Sequence, residues 1–420
     1  MTVSRLAAVD AQSLWTSGAI PNDHYALYAF GEPQSGLEPA LQEIRDRARA
    51  CSALRIRIAD TGFWTYPVWD PCEVGEGQFV VHELADRIWA ACLAAVRSLT
   101  DDQLDQRVMS WRLHVYPAID GVPGTGRGTV AVLQASHAFA DGKRSAALAG
   151  YLFGREGEVP AVTVPSRSVL AFPRRSIAAA LTHRRLVRDT AAGLVPAQAD
   201  SRPAMRTNTR PAGARDIRTV IRDRAELPGP TVTVGVLTAV SAALAGHLRE
   251  LGDDPSLLGA EVPMAKVGPR LANNHYGNVG IGLYPDVEAG QRARRIAADL
   301  YQRRRRRSHP AMRAEAEALA AVPAPVLRWG VSMFDPDVRS PTVNGNTVVS
   351  SVDRGAKDLR FGDAPVLLAA SFPALSPMMG LTHGVNGIGE TITISVHAAE
   401  SSIGDVDAYV DRLESELRGS

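Results

Sequence analysis

The sequence predicts an α+β protein built from two halves of similar size, and three observations support this. At 420 residues the chain is too long for one ordinary compact core. In both halves, short β-branched segments alternate with longer segments whose apolar residues recur at helical spacing. A stretch rich in proline and arginine separates the halves. We therefore expect an N-terminal lobe at 1–155, a crossover linker at 156–215 and a C-terminal lobe at 216–420.

Periodicity and composition place the individual elements. In the N-terminal half, strands are predicted at 54–59, 79–84, 111–118 and 129–135, and helices at 84–99 and after Gly142. The linker carries a helical patch at 174–194. In the C-terminal half, strands are predicted at 216–223, 279–285, 346–353, 364–371 and 391–398, and helices at 233–251, through residues 303–307 and at 405–417.

Composition excludes several classes of function. Lys plus Arg number 46 and Asp plus Glu number 45, so no global positive field favours a nucleic-acid partner. The cysteines at 51, 72 and 92 lack metal-ligand spacing, which indicates a reduced, intracellular chain without a metal site. Prolines and glycines interrupt the charge-free stretches at 227–248 and 364–389. We expect a soluble cytoplasmic protein whose membrane contact, if it has any, is peripheral.

One short motif carries chemistry. His137, Asp141 and Gly142 follow an apolar strand at H-x-x-x-D-G spacing. A turn between a strand and a helix can hold an imidazole firmly at the rim of a cleft. A neutral imidazole there can take a proton from an attacking hydroxyl or amine. Asp141 is placed to accept hydrogen bonds within the turn, and Gly142 permits a positive φ. His137 is therefore the predicted general base.

This motif and four further segments resemble the wax ester synthase/diacylglycerol acyltransferase (WS/DGAT) family. That family is one branch of the chloramphenicol acetyltransferase-like acyltransferases, which include peptide-synthetase condensation domains. The motif is similar to the family's H-H-x-x-x-D-G. The segments 5–15, 98–118, 230–248 and 261–285 are similar to family segments in the same order along the chain, and the last retains Val262, Pro263, Gly277 and Asn278.

The resemblance implies two chloramphenicol acetyltransferase-like lobes with a tunnel between them. An acyl thioester, either acyl-CoA or an acyl-carrier thioester, would be a co-substrate, and no cofactor would be bound. The acceptor would be a small alcohol or amine, deprotonated by His137 for direct attack without an acyl-enzyme. Asp141 would orient the loop. Substrate contacts are expected from Ser136, Asn278, Ser350 and Ser351. The oxyanion donor would be a backbone N–H or a side chain of the Asn278 or Ser350–Ser351 segments.

The chain also departs from the family pattern. Ser136 replaces the first motif histidine, and Thr233-Val234 replaces an Asn-Asp pair. The expected arginine after the V-P-V-S segment has two nearby candidates, Lys266 and Arg270. These changes predict a divergent member with unusual substrates. Two alternatives stay open: a condensation-type enzyme that takes its acyl group from a carrier protein in natural-product biosynthesis, and a catalytically silent protein that binds lipid or acyl groups.

Three further features have two interpretations each. The five arginines at 303–307 are suited to the phosphates of coenzyme A, an acidic carrier protein or an anionic membrane, or they form a solvated helix face. Residues 273–276 line the acceptor side or form a polar turn before a strand. His383 is placed in a glycine-rich loop, either reaching the tunnel or exposed.

Overall fold

The computed structural model describes residues 4–164 and 171–418. The helices of this part are α1 (Ala8–Thr16), α2 (Leu37–Ala50), α3 (Trp89–Leu99), α4 (Gly142–Leu152), α5 (Ala171–Ala191), α6 (Val232–Glu250), α7 (Ala289–Arg307), α8 (Pro310–Ala321), α9 (Ala324–Ser332), α10 (Glu400–Ile403) and α11 (Val406–Leu417). The strands are β1 (Ser4–Arg5), β2 (Asp23–Gly31), β3 (Ile56–Ala59), β4 (Val68–Pro71), β5 (Phe79–Val81), β6 (Trp111–Asp120), β7 (Arg127–Ser136), β8 (Arg202–Pro203), β9 (Arg215–Asp223), β10 (Gly259–Ala265), β11 (Tyr276–Gly282), β12 (Thr342–Val343), β13 (Thr347–Asp353), β14 (Arg360–Phe361), β15 (Ala364–Phe372), β16 (Leu381–Ile388) and β17 (Thr391–Ala399).

Two six-stranded mixed sheets form the two lobes. The N-terminal sheet has the order β14-β15-β2-β7-β6-β5, with β5 and β6 parallel. The C-terminal sheet has the order β11-β10-β13-β16-β17-β9, in which β13 runs parallel to both of its neighbours. Helices cover the sheet faces because each sheet must bury an apolar face against another layer. The two-lobed α+β fold predicted from the sequence is confirmed.

One segment crosses between the lobes in a way that the sequence did not predict. Strands β14 and β15, at 360–372, belong to the half assigned to the C-terminal lobe, yet β15 pairs antiparallel with β2 of the N-terminal sheet. The assignment of all of 216–420 to one lobe is wrong for this segment. The sequence pattern of a strand does not show which distant strand it pairs with, because apolar residues alternate in the same way in either sheet.

Separate apolar cores support each lobe. The N-terminal sheet buries one face against α2 and α4 and the other against α3 and β9. The C-terminal sheet packs against α6, α7 and α11. Of the described helices, α6 alone has the length and apolar composition of a membrane-crossing segment, and 72% of its apolar window is buried within the protein. It packs as the central helix of the C-terminal core, where an all-round apolar surface is expected.

The predicted elements are present with shifted ends, and one prediction is wrong. The helix predicted at 84–99 begins only at Trp89. The glycine-rich loop expected around His383 is strand β16, and it is buried along its whole length. A Cβ at Gly384 would lie 2.1 Å from the Ser371 carbonyl oxygen of β15. The glycine that suggested a loop therefore permits the close approach of two strands.

Candidate active site

The motif loop positions His137 between a strand and a helix. Strand β7 ends at Ser136, and α4 begins at Gly142. The hydroxyl of Ser136 accepts the Ala138 N–H at 3.1 Å, which closes a tight turn under the histidine. Asp141 caps α4 by accepting the Arg144 N–H at 2.9 Å. The turn and the cap hold the backbone of His137 while its half-buried imidazole remains accessible.

Asn274, on the loop before β11, defines the proton position on the imidazole. Its Nδ2 donates to the His137 carbonyl oxygen and to Ser13 Oγ at 3.1 Å. Because a carbonyl can only accept, the amide orientation is fixed and Oδ1 faces Nδ1 of His137 at 3.4 Å. Oδ1 can only accept in turn, so the proton of a neutral imidazole sits on Nδ1. The Nε2 lone pair is then free to take a proton from a substrate.

Two carboxylates from the N-terminal lobe hold the loop that carries Asn274. Arg270 donates Nη2 to Asp141 at 3.1 Å, and its Nη1 forms an ion pair with the same carboxylate at 2.9 Å. The His275 N–H also donates to Asp141 at 2.9 Å. Asp10 of α1 accepts the backbone N–H groups of Asn273 and Asn274 at 2.8 and 2.9 Å. The loop that carries Asn274 is thus fixed to the motif loop and to α1 of the N-terminal lobe.

The same contacts shift the pKa values of Asp141 and Asp10. Burial alone would raise the pKa of Asp141, but the hydrogen bonds and charge of Arg270 bring it below its ordinary value. Burial raises the pKa of Asp10 to about 7, against the lowering effect of the two N–H groups. Asp141 is therefore the ionised anchor of the loop, whereas Asp10 exchanges its proton near neutrality.

Two further rings flank His137. The ring of His24, on β2, lies 5.2 Å from that of His137 between centroids, and the ring of Tyr276 lies 5.9 Å away. Nε2 of His24 contacts the Ala140 carbonyl oxygen at 3.0 Å and so carries the proton. Burial, followed by the charges of His137 and Arg354, lowers the pKa of His24 to about 3. A second imidazole is thus present beside the base, from a neighbouring strand, and it stays neutral.

Burial also tunes His137 and Tyr276. Desolvation lowers the pKa of His137 below its ordinary value, and the hydrogen bond to Asn274 opposes that shift. Burial raises the pKa of Tyr276 to about 12, so its hydroxyl remains a donor. Within the described residues this hydroxyl has no hydrogen-bond partner. The site therefore presents a neutral base and a protonated phenol side by side.

The other predicted site residues lie in different places. Ser136 is fully buried inside the turn, so the structure does not place it on an open surface where a substrate could contact it. Asn278 is exposed and donates to Glu261 at 2.8 Å. Ser350 and Ser351 lie on β13, where the Ser351 hydroxyl accepts from Thr233 at 3.1 Å. That contact joins β13 to the start of α6, where Thr233-Val234 departs from the family pattern.

Close packing explains the glycine of the motif. A Cβ at Gly142 would approach Cγ2 of Val352 on β13 to 3.1 Å, which is tighter than ordinary contact. Its φ lies outside the left-handed region, so the positive φ considered for it is not used. Gly142 lets α4 start directly against the C-terminal sheet. The start of α4 thus meets β13 of the other lobe.

Several residues of the candidate site were not predicted from the sequence, for identifiable reasons. His24 lies far away in the sequence, and only the pairing of β2 with β7 brings it beside the motif. Asp10 is part of the 5–15 segment that resembled the family opening, which was a usable signal. Arg270, one of the two candidates for the missing arginine, forms an ion pair with Asp141. Among the described residues, no cluster of three His, Cys, Asp or Glu side chains is placed to hold a metal ion.

A large cavity adjoins the site. Its volume is about 1220 Å³, it is open to solvent, and it is lined by α1, α5, α8, the end of α7 and the segment 266–280. Asn274, which contacts the imidazole of His137, is part of its wall. The arginines at 303–307 lie at the end of α7, and three of them face the same cavity. Those three side chains, Arg303, Arg306 and Arg307, are partly buried, whereas Arg304 and Arg305 are exposed.

Comparison with known proteins supports the family resemblance. Residues 278–419, about a third of the chain, match the family described as WS/DGAT C-terminal domain. The resemblance predicted from the sequence is thereby confirmed for this part of the chain. No curated protein matches the chain.

Solved structures share the fold over nearly the whole length. The wax ester synthase/diacylglycerol acyltransferase from Marinobacter aquaeolei VT8 is 17% identical with a TM-score of 0.66, over 99% of this chain and 98% of that one. The first condensation domain of the CDA synthetase is 13% identical with a TM-score of 0.59, over 100% and 97%. A starter condensation domain of rhizomide synthetase, solved with C8-CoA and Leu-SNAC, is 14% identical with a TM-score of 0.57, over 99% and 93%. At these identities the likeness establishes the two-lobed fold.

Proposed function

We propose that this chain, whose C-terminal third matches the WS/DGAT C-terminal domain, is an acyltransferase that moves an acyl group from a thioester to a hydroxyl or amine. One observation carries the proposal. Asn274 fixes the proton of His137 on Nδ1, and the Nε2 lone pair is left free. Burial lowers the pKa of this imidazole, so it is unprotonated at neutral pH. These are the requirements for a general base.

The proposed reaction needs no acyl-enzyme. Nε2 of His137 accepts the proton of the acceptor O–H or N–H as the acceptor atom attacks the thioester carbonyl carbon. The carbonyl π electrons move to oxygen and form a tetrahedral oxyanion. Collapse of this intermediate breaks the carbon–sulfur bond, and the departing thiolate takes the proton from Nε2. The base therefore returns to its starting state, and one ester or amide and one thiol are formed.

The oxyanion needs a donor, and Tyr276 is the best placed candidate. Its ring lies 5.9 Å from that of His137, and burial keeps its hydroxyl protonated. Asn278 is less suitable because its amide already donates to Glu261. A protonated phenol in a partly dry site stabilises developing negative charge more strongly than water does. Tyr276→Phe is expected to lower kcat about 100-fold while KM changes little.

Product analysis of the purified protein tests the proposal. The protein is incubated with pooled acyl-CoA donors and mixed alcohols and amines, and products are identified by mass spectrometry. His137→Ala is expected to lower turnover at least 100-fold without loss of folding, as judged by circular dichroism. His82→Ala, which changes a histidine beside the edge strand β5, is the control and should retain activity. Unchanged turnover in His137→Ala would rule out the proposed role of this residue.

The acyl donor can be identified in the same assay. The same acyl chain is presented on coenzyme A and on a carrier protein, and the rates are compared. Faster turnover of acyl-CoA supports the leading proposal, and faster turnover of the carrier-bound chain supports a condensation-type reaction. Absence of product from both, with retained binding of an acyl chain, would support a silent binding protein.

A further inference from the structure

Positively charged side chains predominate in the wall of the large cavity beside Asn274. Four cationic side chains face it, from Lys266 and from Arg303, Arg306 and Arg307. Arg313 also lines it but pairs with Glu317 at 2.9 Å. Among the described lining residues, Glu315 is the sole carboxylate. The wall of the cavity is therefore strongly positive although the whole chain is nearly neutral.

The three arginines are oriented by neutral groups. Arg303 donates to the Ala197 carbonyl, Arg306 to the Pro196 carbonyl and the Thr190 hydroxyl, and Arg307 to the Gly277 carbonyl. Carbonyl oxygens hold a guanidinium in place and leave its charge uncompensated. Within the described residues, none of the three lies within ion-pair distance of a carboxylate. Each guanidinium keeps further N–H groups for a ligand.

Lys266 completes the positive wall. Its ammonium group has no hydrogen bond or ion pair within the described part of the chain. Burial lowers its pKa, and the nearby charge of Arg307 lowers it further. Bringing like charges together in a partly desolvated cavity costs free energy, and a bound anion relieves that cost. The arrangement therefore indicates a ligand with several negative charges.

Size and polarity narrow the ligand class. The volume of about 1220 Å³ exceeds the roughly 300–1,000 Å³ of common small-molecule sites. Apolar side chains of Leu186, Met312 and Leu319 line other parts of the wall. The ligand thus combines an anionic end with an uncharged body. Through Asn274 the cavity lies one residue away from the catalytic imidazole.

We propose that this cavity binds the phosphate-bearing end of a substrate whose reactive end lies at His137. The inference rests on the proposed acyltransferase function and deepens it. Two sources share this chemistry: the phosphates of coenzyme A in the acyl donor, and a phosphate group on the acyl acceptor. In both cases Lys266 and the three arginines bind the phosphate oxygens through charge-assisted hydrogen bonds.

Lys266 is the best residue for a test because it supports no other side chain. Lys266→Gln removes its charge, and Lys266→Glu reverses it. Arg304→Glu is the matched control, since Arg304 belongs to the same arginine series but is exposed and does not line the cavity. Binding of coenzyme A and of inorganic pyrophosphate is measured by calorimetry. We expect about 10-fold weaker binding in Lys266→Gln and a larger loss in Lys266→Glu. Unchanged binding, or an equal loss in Arg304→Glu, overturns the proposal.

Kinetics identify the source of the phosphate. Each variant is assayed with an acyl-CoA, with the same acyl group on N-acetylcysteamine, which lacks phosphates, and with one alcohol in free and phosphorylated form. A rise in KM confined to acyl-CoA indicates the donor, and one confined to the phosphorylated alcohol indicates the acceptor. An equal loss with all substrates overturns the proposal. If the wild-type protein transfers no acyl group, the proposed function fails, whereas the calorimetry still decides the anion site.

Discussion

At the scale of single residues, the site depends on which atom carries a proton. In the proposed mechanism His137 acts as a base because Asn274, from the other half of the sequence, holds its proton on Nδ1. His24 lies beside it, where the motif itself has lost a histidine to Ser136. The pKa of His24 is lowered to about 3, so no second positive charge forms beside His137. Substitutions at these residues should therefore change protonation as well as rate.

Asn274→Ala tests the role of Asn274 as a positioning residue. Removal of the Oδ1 acceptor frees the imidazole to rotate and change tautomer, and we expect kcat to fall about 100-fold. The hydrogen bond also holds the pKa of His137 up, so the acidic limb of the kcat/KM profile should move to lower pH. Loss of activity with an unmoved acidic limb would indicate a purely structural role. Ser13→Ala, which changes another partner of the Asn274 amide, is the control and should leave the limb in place.

The ion pair between Asp141 and Arg270 gives a second prediction at this scale. Both side chains are largely buried, with 5% and 11% of their surfaces exposed. Asp141→Asn leaves a buried guanidinium unpaired and is expected to destabilise the protein by about 3–5 kcal/mol. Urea denaturation measures this loss. A double variant, Asp141→Asn with Arg270→Met, should recover part of the stability, and a double variant that is less stable than both single variants would contradict the pairing.

At the scale of elements, close approach of strands links the two lobes. Strand β15 of the N-terminal sheet lies against β16 of the C-terminal sheet, and Gly384 makes this possible. The start of α4 approaches β13 at Gly142, where the nearest atom is Cγ2 of the Val352 side chain. Glycine is required at both contacts because it has no side chain. Its backbone freedom is not used, since neither glycine has a positive φ. The lobes therefore meet backbone to backbone at Gly384, and backbone to side chain at Gly142.

Gly384→Ala tests this junction. The added methyl group would lie 2.1 Å from the Ser371 carbonyl oxygen, so the strands must separate. We expect a loss of stability of about 1–3 kcal/mol, typical of overpacking, with a lower melting temperature. Gly330→Ala is the matched control, because nothing lies within 4 Å of its added methyl group and the position is inside α9. A helical alanine there should stabilise by about 0.5–1 kcal/mol.

At the scale of the whole molecule, buried imidazoles control the response to acid. Burial lowers the pKa of His24 to about 3 and the pKa values of His114, His383 and His397 to about 4. As pH falls below about 6.5, these imidazoles become protonated in the unfolded chain but stay neutral in the folded protein. The unfolded chain then binds more protons, so the free energy of unfolding decreases. Asp10 and Asp23 act in the opposite direction, because burial raises their pKa values to about 7 and about 6. Four destabilising groups outweigh two stabilising ones.

Stability should therefore decrease between about pH 6.5 and about pH 4, and urea midpoints across this range measure the slope. His383→Gln removes one of the four imidazoles, so its stability should depend less steeply on pH than that of the wild type. His183→Gln, which changes an exposed histidine, should keep the wild-type slope. Equal slopes in all three proteins would show that burial of His383 does not contribute.

The sequence alone was sufficient for the fold class and for proposing His137 as the central residue of the site. Strand and helix periodicity depends on neighbouring residues, so most elements were predicted with small errors at their ends. His137 stood out because its motif is contiguous. Strand β16 was missed because Gly384, which suggested a loop, serves a packing contact with β15. That contact joins segments of the chain that local patterns do not relate.

By itself, then, the sequence determined an α+β protein of two lobes, a loop presenting His137, and a family resemblance carried by ordered short segments. Only the tertiary structure decided that β15 joins the N-terminal sheet, that Asn274 fixes the tautomer of His137, and that Lys266 and three arginines share one cavity. The physical reason is range. Periodicity and motif spacing report interactions within a few residues, whereas hydrogen-bond geometry, burial and the grouping of charges depend on atoms that only the folded chain brings together.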